Sequence, residues 1–378
     1  MTSAASAIGA GPASACAPVG VLIVDDSAVI RGIVARGIEA DPDIRVIGSA
    51  ANGEAALGLL KSHKPQVVIL DVEMPVMNGL EALPKILAAQ PGVKVIMASA
   101  LTHKHASITF KALQLGAVDY VPKPDAADGP TALTSFFQEL KVKIKAHARP
   151  GALSPSPASS VGPAPARFPQ AAASQPTAAR ANMRALKPAA VAIGSSTGGP
   201  PALLKVFTRA KGCIRVPVFV TQHMPAVFTA LLAEQLGQVS GARAMEGADG
   251  VVVEPGMIYV APGGKHMLVE RNDRSVVIRL DDGPQVNFCK PAVDPMLRSL
   301  SAVYGSHLLA AILTGMGRDG ADGCVAVANS GGHFVVQDEA TSVVYGMPAA
   351  AAATGRAMAQ LPIDGAAEFL ASMMQGGS

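Results

Sequence analysis

The feature that most constrains the fold is an alternation of short apolar, β-branched runs with amphipathic stretches, which occurs twice along the chain. Between Val19 and about Arg149 the runs are VGVLIVDD, RVIGSA, QVVILD, KVIMAS and DYVPK, each followed by a helical pattern. Continuous apolar runs suit strands covered on both faces, so they predict a parallel, doubly wound sheet of five strands. From Arg149 to about Lys187 the chain turns to Pro, Ala, Ser and Gly, a composition that buries too little surface to fold by itself. The alternation resumes with AAVAIG, a helix from Pro200, VPVFVTQ, a helix from Ala226 and a β-rich middle from Gly250 to Leu280. It closes with a helix near Val293, LLAAILTG, a helix near Asp322, HFVVQ and a helix near Pro348. This predicts a second, mostly parallel α/β domain with a hairpin-like insertion around Tyr259 to Gly264. The domains are placed at 19–140 and 188–378, with a flexible linker at 141–187.

A chain of 378 residues is long enough for two buried cores. Hydrophobic residues at 49% and charged residues at 16% fit compact α/β packing, not disorder or a coiled coil. The net charge of +3 is small, and Lys and Arg form no block, so nucleic acid is not an expected partner. Cys16, Cys213, Cys289 and Cys324 lie far apart without metal-ligand spacing and read as packed or free thiols in a reducing compartment. The first residues lack a signal-peptide pattern and no stretch is apolar for long enough to span a bilayer, so a cytoplasmic location without membrane insertion is expected.

Polar residues stand where an open parallel sheet places its ligands, outside the carboxyl ends of the strands. Asp25 and Asp26 end the first strand, Asp71 the third and Ser99 the fourth, and Lys123 closes the fifth. Any one of these Asp residues alone is better read as a helix cap or loop carboxylate. Three carboxylates meeting in one crevice repel one another unless a hard cation joins them, and Mg²⁺ favours such oxygen ligands.

In the second half, Gly194-Ser195-Ser196-Thr197-Gly198 fits G-x-S-x-G at a strand-to-helix turn, a pattern that exposes a serine hydroxyl beside helix amides. Register selects Ser196, because Ser195 would need glycines where Ile193 and Thr197 stand. A Gly/Ser-rich turn alone is more often a phosphate cradle or a plain cap, so a base is required. His223 ends the neighbouring strand at the same sheet edge; His266 lies in the β-rich insertion, and His307 and His333 begin strands at the opposite edge. Asp319, in the loop TGMGRDG, again falls at the carboxyl edge and can orient an imidazole. Asp294 looks like a helix-start carboxylate and Asp322 falls inside a helix. The order Ser, His, Asp is not that of α/β-hydrolases.

The first region, with its acidic pair Asp25/Asp26, Asp71 in LDVEMPVMNG, Ser99, and Lys123 in YVPKP, resembles the response-regulator receivers, a flavodoxin-like fold. The second, through GSSTGG, TQHMP, YVAPGGKHM, LTGMGRDG and VVYGMP, resembles the catalytic domain of chemotaxis protein-glutamate methylesterases, which also act as glutaminases. Ser195 departs from the alanine usual there. The resemblance implies that Asp71 accepts a phosphoryl group from a histidine kinase, with Mg²⁺ held by Asp25, Asp26 and the Glu73 carbonyl beside Asp71. Lys123 and Ser99 would meet the phosphoryl oxygens, and Tyr120 would report the switch. It implies Ser196 as nucleophile, His223 as base, Asp319 as orienting acid and the Met316 amide in the oxyanion hole, with no cofactor for the esterase. The expected reaction is hydrolysis of γ-glutamyl methyl esters on methyl-accepting chemotaxis receptors, releasing methanol, and deamidation of certain glutamines. The bare residues carry only acyl transfer by an activated serine. A receiver fused to a DNA-binding module finds no basic recognition helix in the sequence, and a non-catalytic adaptor would have no need of Ser196, His223 and Asp319 together.

Overall fold

The computed structural model describes residues 17–100, 102–124, 129–148 and 186–376. In the first region the apolar runs form β1 (Val19–Val24), β2 (Ile44–Ala50), β3 (Val67–Asp71), β4 (Lys94–Ala100) and β5 (Asp119–Lys123). All are parallel, in the order β2-β1-β3-β4-β5. The helices are α1 (Ala28–Glu39), α2 (Gly53–Leu60), α3 (Gly79–Ala89), α4 (His103–Gln114) and α5 (Gly129–Ala148). Their starts follow from local chemistry. Ser27, Asn52 and Asn78 cap α1, α2 and α3, each side chain accepting the amide three residues on. Those caps stop each strand-to-helix loop at the carboxyl edge, which leaves the strand-end acids facing one crevice.

Helix α5 runs eight residues past the expected boundary at Leu140. Residues 141–148 are therefore helix and not linker: Lys143, Ile144 and His147 are buried, and Lys143 and His147 reach Asp119 at 3.1 Å each. Most of the expected linker, 149–185, and Cys16 lie outside the described residues.

The second region is a seven-stranded parallel sheet in the order β14-β13-β12-β6-β7-β9-β8. Its strands are β6 (Ala190–Ser195), β7 (Val218–Gln222), β8 (Arg243–Glu246), β9 (Met257–Val260), β12 (Leu308–Ile312), β13 (His333–Gln337) and β14 (Ala359–Leu361). The hairpin is β10 (His266–Asn272) with β11 (Ser275–Asp281), antiparallel and separate from the main sheet. It is thus displaced from the expected Tyr259 to Gly264, because Met257–Val260 is an apolar run that pairs in parallel with β7 on one side and β8 on the other. The helices are α6 (Gly199–Arg209), α7 (Ala226–Ser240), α8 (Val293–Tyr304), α9 (Ala321–Asn329), α10 (Met347–Ala352) and α11 (Ile363–Met374).

The two regions share one apolar core. Tyr120 of β5 stacks on Phe228 of α7 at 4.5 Å between ring centroids, and Phe110 of α4 lies 6.3 Å from the same ring. Tyr120 and Phe228 are both buried, and such a ring pair adds about 0.5–1.5 kcal/mol beyond its area. No helix among the described residues is long and apolar enough to cross a membrane.

Candidate functional site

In the first region the carboxylate oxygens of Asp25, Asp26 and Asp71 all lie within 4.8 Å of one another. Lys123 reaches across from β5 to Asp25 at 2.6 Å and to Asp71 at 2.7 Å. Asp25 also accepts the Ser27 amide, and Asp71 the Val72 amide. Burial raises the Asp71 carboxyl above its ordinary value; Lys123 works against this and Asp25 adds to it. One lysine therefore leaves three clustered acids under-compensated, which is the chemistry of a hard divalent-cation site. Ser99 is buried at the end of β4, and its hydroxyl donates to the Ala100 carbonyl at 3.3 Å. Glu73 is exposed on the loop leaving β3. Tyr120 stands on β5 as expected, facing the second region.

In the second region the turn after β6 is shaped by two glycines. A Cβ on Gly194 would meet Val293 at 2.6 Å; Gly198 has φ of +74° and would bring a Cβ to 2.6 Å from Val343. Ser196 is pinned between neighbours: its amide donates to the Thr314 carbonyl, and its own carbonyl accepts from Gly199. Ser195 is fully buried and its hydroxyl donates to Gln222 Oε1 at 2.7 Å, while Ser196 is partly exposed. The two adjacent serines thus face opposite environments.

Strand β7 brings His223 alongside, its amide donating to the Ser195 carbonyl. His223 Nε2 lies 2.7 Å from Asp319 Oδ2. Asp319 is buried and takes donors from the Val293, Asp294 and Gly320 amides and from Asn287. Two of these amides open α8, so its dipole favours the carboxylate there. Burial alone would raise the Asp319 carboxyl, but the His223 contact and the amides outweigh it and hold it below its ordinary value. Burial likewise disfavours the charged imidazole, yet Asp319 and Cys289 prevail and raise His223 to about 9. Its other nitrogen, Nδ1, faces the Cys289 sulfur at 3.3 Å.

The loop bearing Met316 presses on the serine, since a Cβ on Gly315 would meet Ser196 Cβ at 2.8 Å. Met316 sits half-exposed at the rim of a cavity of about 960 Å³ that Ser196, His223 and Cys289 also line. The receiver supplies another wall through Tyr120, Thr134 and Gln138. Asp119 of β5 accepts the Gly198 amide across the boundary, and Lys143 and His147 overcome its burial to hold its carboxyl at about 2.

Of the remaining candidates only Asp294 adjoins this chemistry, through its own amide and a shared Asn287 donor to Asp319. His266 is buried, its Nε2 against the Pro284 carbonyl and its Nδ1 accepting the Ala292 amide. Asp294 accepts from Gly323 and Asn287, and Asp322 pairs with Arg318 and Arg298. His307 sits in a short 3-10 turn and His333 opens β13, both away from the turn after β6. Gln222, Asn287, Cys289 and Asp119 are contacts the sequence did not suggest; a signal existed only for Gln222, which directly precedes His223.

Residues 191–370 match the family model of the CheB methylesterase, and residues 21–133 that of the response regulator receiver domain. A protein-glutamate methylesterase/protein-glutamine glutaminase of Paramagnetospirillum magneticum is 48% identical, the match covering 93% of this chain and 95% of that one. The protein of the same name from Azospirillum brasilense is 46% identical over 92% of this chain and 90% of its own. The crystal structure of the Thermotoga maritima CheB methylesterase catalytic domain is 38% identical, covering 50% of this chain and 98% of that one, with a TM-score of 0.48.

Proposed function

We propose a function from the premise that this chain belongs to the CheB family of protein-glutamate methylesterases/protein-glutamine glutaminases, with a receiver domain in front. It hydrolyses γ-glutamyl methyl esters on chemoreceptor helices, releasing methanol, and deamidates certain receptor glutamines. A histidine kinase supplies the phosphoryl group, the receptors are the substrates, and the chain works in the cytoplasm. The domains are a receiver from 19 to the end of α5 and a catalytic unit from 188 to 378. The observation that carries the reading is the 2.7 Å contact between His223 and Asp319, at a cavity that Ser196 also lines.

In the ester reaction Ser196 Oγ attacks the γ-carbonyl carbon as His223 takes its proton. The tetrahedral oxyanion is met by the Met316 amide. Collapse breaks the bond to the methoxy group, and His223 returns the proton so that methanol leaves. Water then attacks the acyl-serine by the same route, leaving glutamate; with glutamine, ammonia leaves instead. Asp319 holds Nε2, which leaves Nδ1, now 3.3 Å from the Cys289 sulfur, as the nitrogen to take the Ser196 proton, and its anchored charge stabilises the imidazolium as it forms. Ser195 stays out of the chemistry, its hydroxyl engaged by Gln222.

In the receiver, Asp71 accepts the phosphoryl group. Asp25, Asp26 and Asp71, with the Glu73 carbonyl, would hold Mg²⁺, which when bound neutralises charge on the phosphoryl oxygens. Lys123, now paired with Asp25 and Asp71, turns to a phosphoryl oxygen, and Ser99 meets another. The test is to mix the purified protein with methylated receptor and measure methanol, with and without a small phosphodonor. A serine-directed phosphonate should add its mass to Ser196. No methanol under either condition overturns the reading.

A further inference from the structure

The mechanism above has no use for Cys289, yet the thiol occupies a chemically pointed position. Its Sγ lies 3.3 Å from His223 Nδ1, and His223 Nε2 lies 2.7 Å from Asp319. Thiol, imidazole and buried carboxylate form a relay in the order found where a cysteine is activated by a histidine. The sulfur is partly buried and lines the same cavity as Ser196, so a small solute in the cavity meets both nucleophiles. The loop that holds it is bent sharply, with Asn287 and Phe288 both at positive φ and a bridge between Val286 and Cys289 fixing the turn.

We infer, on the reading of the site given above, that Cys289 is a redox-modification site: hydrogen peroxide entering the cavity converts it to a sulfenic acid and silences the esterase. Asp319 is held charged by three amides and Asn287, which favours the imidazolium of His223. The raised His223 pKa, with Cys289 among its causes, agrees. The imidazole at 3.3 Å is placed to take the thiol proton as the sulfur attacks. In the step, Sγ attacks one peroxide oxygen, an S–O bond forms and the O–O bond breaks. The departing hydroxide takes the proton carried by His223 and leaves as water. Sulfur loses two electrons and the peroxide gains them. The new oxygen sits beside Nδ1, the nitrogen that must receive the Ser196 proton. A low-molecular-weight thiol reverses the change: it displaces water to give a mixed disulfide, and a second thiol releases the cysteine.

The other described cysteines lack this setting. Cys324 is buried, and burial with Asp294 and Asp319 pushes its thiol far up. Cys213 donates to the Lys211 carbonyl and touches Gln375.

The experiment treats the full chain with hydrogen peroxide, traps sulfenic acid with dimedone, weighs the cysteine peptides and follows methanol release. Cys289 should be labelled before Cys213, with the rate falling about tenfold or more and returning on dithiothreitol. Cys289→Ser, compared with its own untreated rate, should resist peroxide, and Cys213→Ser should remain sensitive. Labelling confined to Cys213 overturns the inference, as does a labelled Cys289 with an unchanged rate, or a Cys289→Ser variant as sensitive as the parent. If the untreated chain releases no methanol, the esterase reading falls by itself, and the labelling order still decides for or against a reactive Cys289.

Discussion

The Asp119 carboxylate of the receiver accepts the backbone N–H of Gly198 at 3.2 Å, two residues beyond Ser196 on the turn that carries the serine. A receiver acid thus occupies an amide at the start of α6, where the partial positive charge of a helix N-terminus lies. The contact joins residues 79 apart in sequence and belongs to the face on which Tyr120 meets Phe228. There the receiver lines one wall of the cavity while the His223–Asp319 pair stays intact.

Loosening that face should free the esterase. Tyr120→Leu removes a ring pair of about 0.5–1.5 kcal/mol, so basal methanol release by the full chain should rise roughly two- to tenfold. The fragment from about Ala185 to Ser378 should be active without a phosphodonor. A fragment no faster than the unphosphorylated full chain would show that the receiver activates instead of blocking.

Phosphorylation should act through the acidic cluster. The full chain should be stimulated by a small phosphodonor with Mg²⁺, and this response should vanish with a chelator or in Asp71→Asn. The fragment, having no receiver, should ignore both treatments, and a chelator-sensitive fragment would count against a receiver-only metal.

The adjacent serines should separate by readout. Ser196→Ala should lower turnover about 10⁶-fold, as when a nucleophile that works as a unit with its base is removed. Its melting temperature should hardly move. Ser195→Ala should keep most activity but strand the Gln222 oxygen, costing about 1–3 kcal/mol of stability by denaturant titration. The reverse pattern would reassign the nucleophile.

Asp319→Asn should reduce turnover about 10⁴-fold by favouring the wrong tautomer. The pH profile follows from His223, raised from an ordinary 6.5 to about 9. Catalysis needs the neutral ring, so the full chain should speed up as pH climbs toward about 9. Stability has the opposite sign: the charged His223–Asp319 contact contributes in full below about pH 6.5 and is lost as pH rises through about 9. Rate and melting temperature measured across that window check both signs, and a rate already flat from pH 6 upward would contradict the first.

Much of this was legible because its signals were local. The apolar runs of β1 to β7 carried their own period; Asp71, Lys123, Ser196 and His223 each stood at or next to a strand end that periodicity could locate, and Asp319 in the loop that follows β12. Strands β8 and β14, of four and three residues, were too short to show a pattern, and β9 was taken for half of a hairpin because nothing local told its parallel partners. The last turns of α5 were missed because the boundary was drawn at 140, short of Arg149 where the composition changes; what buries Lys143 and His147 there is Asp119, distant in sequence. Cys289 and Asp119 could not be singled out at all: a thiol in a loop and an acid opening a strand are ordinary until the fold brings His223 from 66 residues away and Gly198 from 79.

Strand β5 begins with Asp119 and ends with Lys123, so the residue touching the turn that carries Ser196 and the residue touching Asp71 are carried by one five-residue strand. At about 3.3 Å per residue the two chemistries stand some 13 Å apart along it. The strand works as a rod of fixed length between two stations, and the Pro- and Ala-rich segment after α5 is no part of it. Lengthening or shortening that segment should change how often the halves meet, through effective concentration, and leave unchanged what passes between them once they have met.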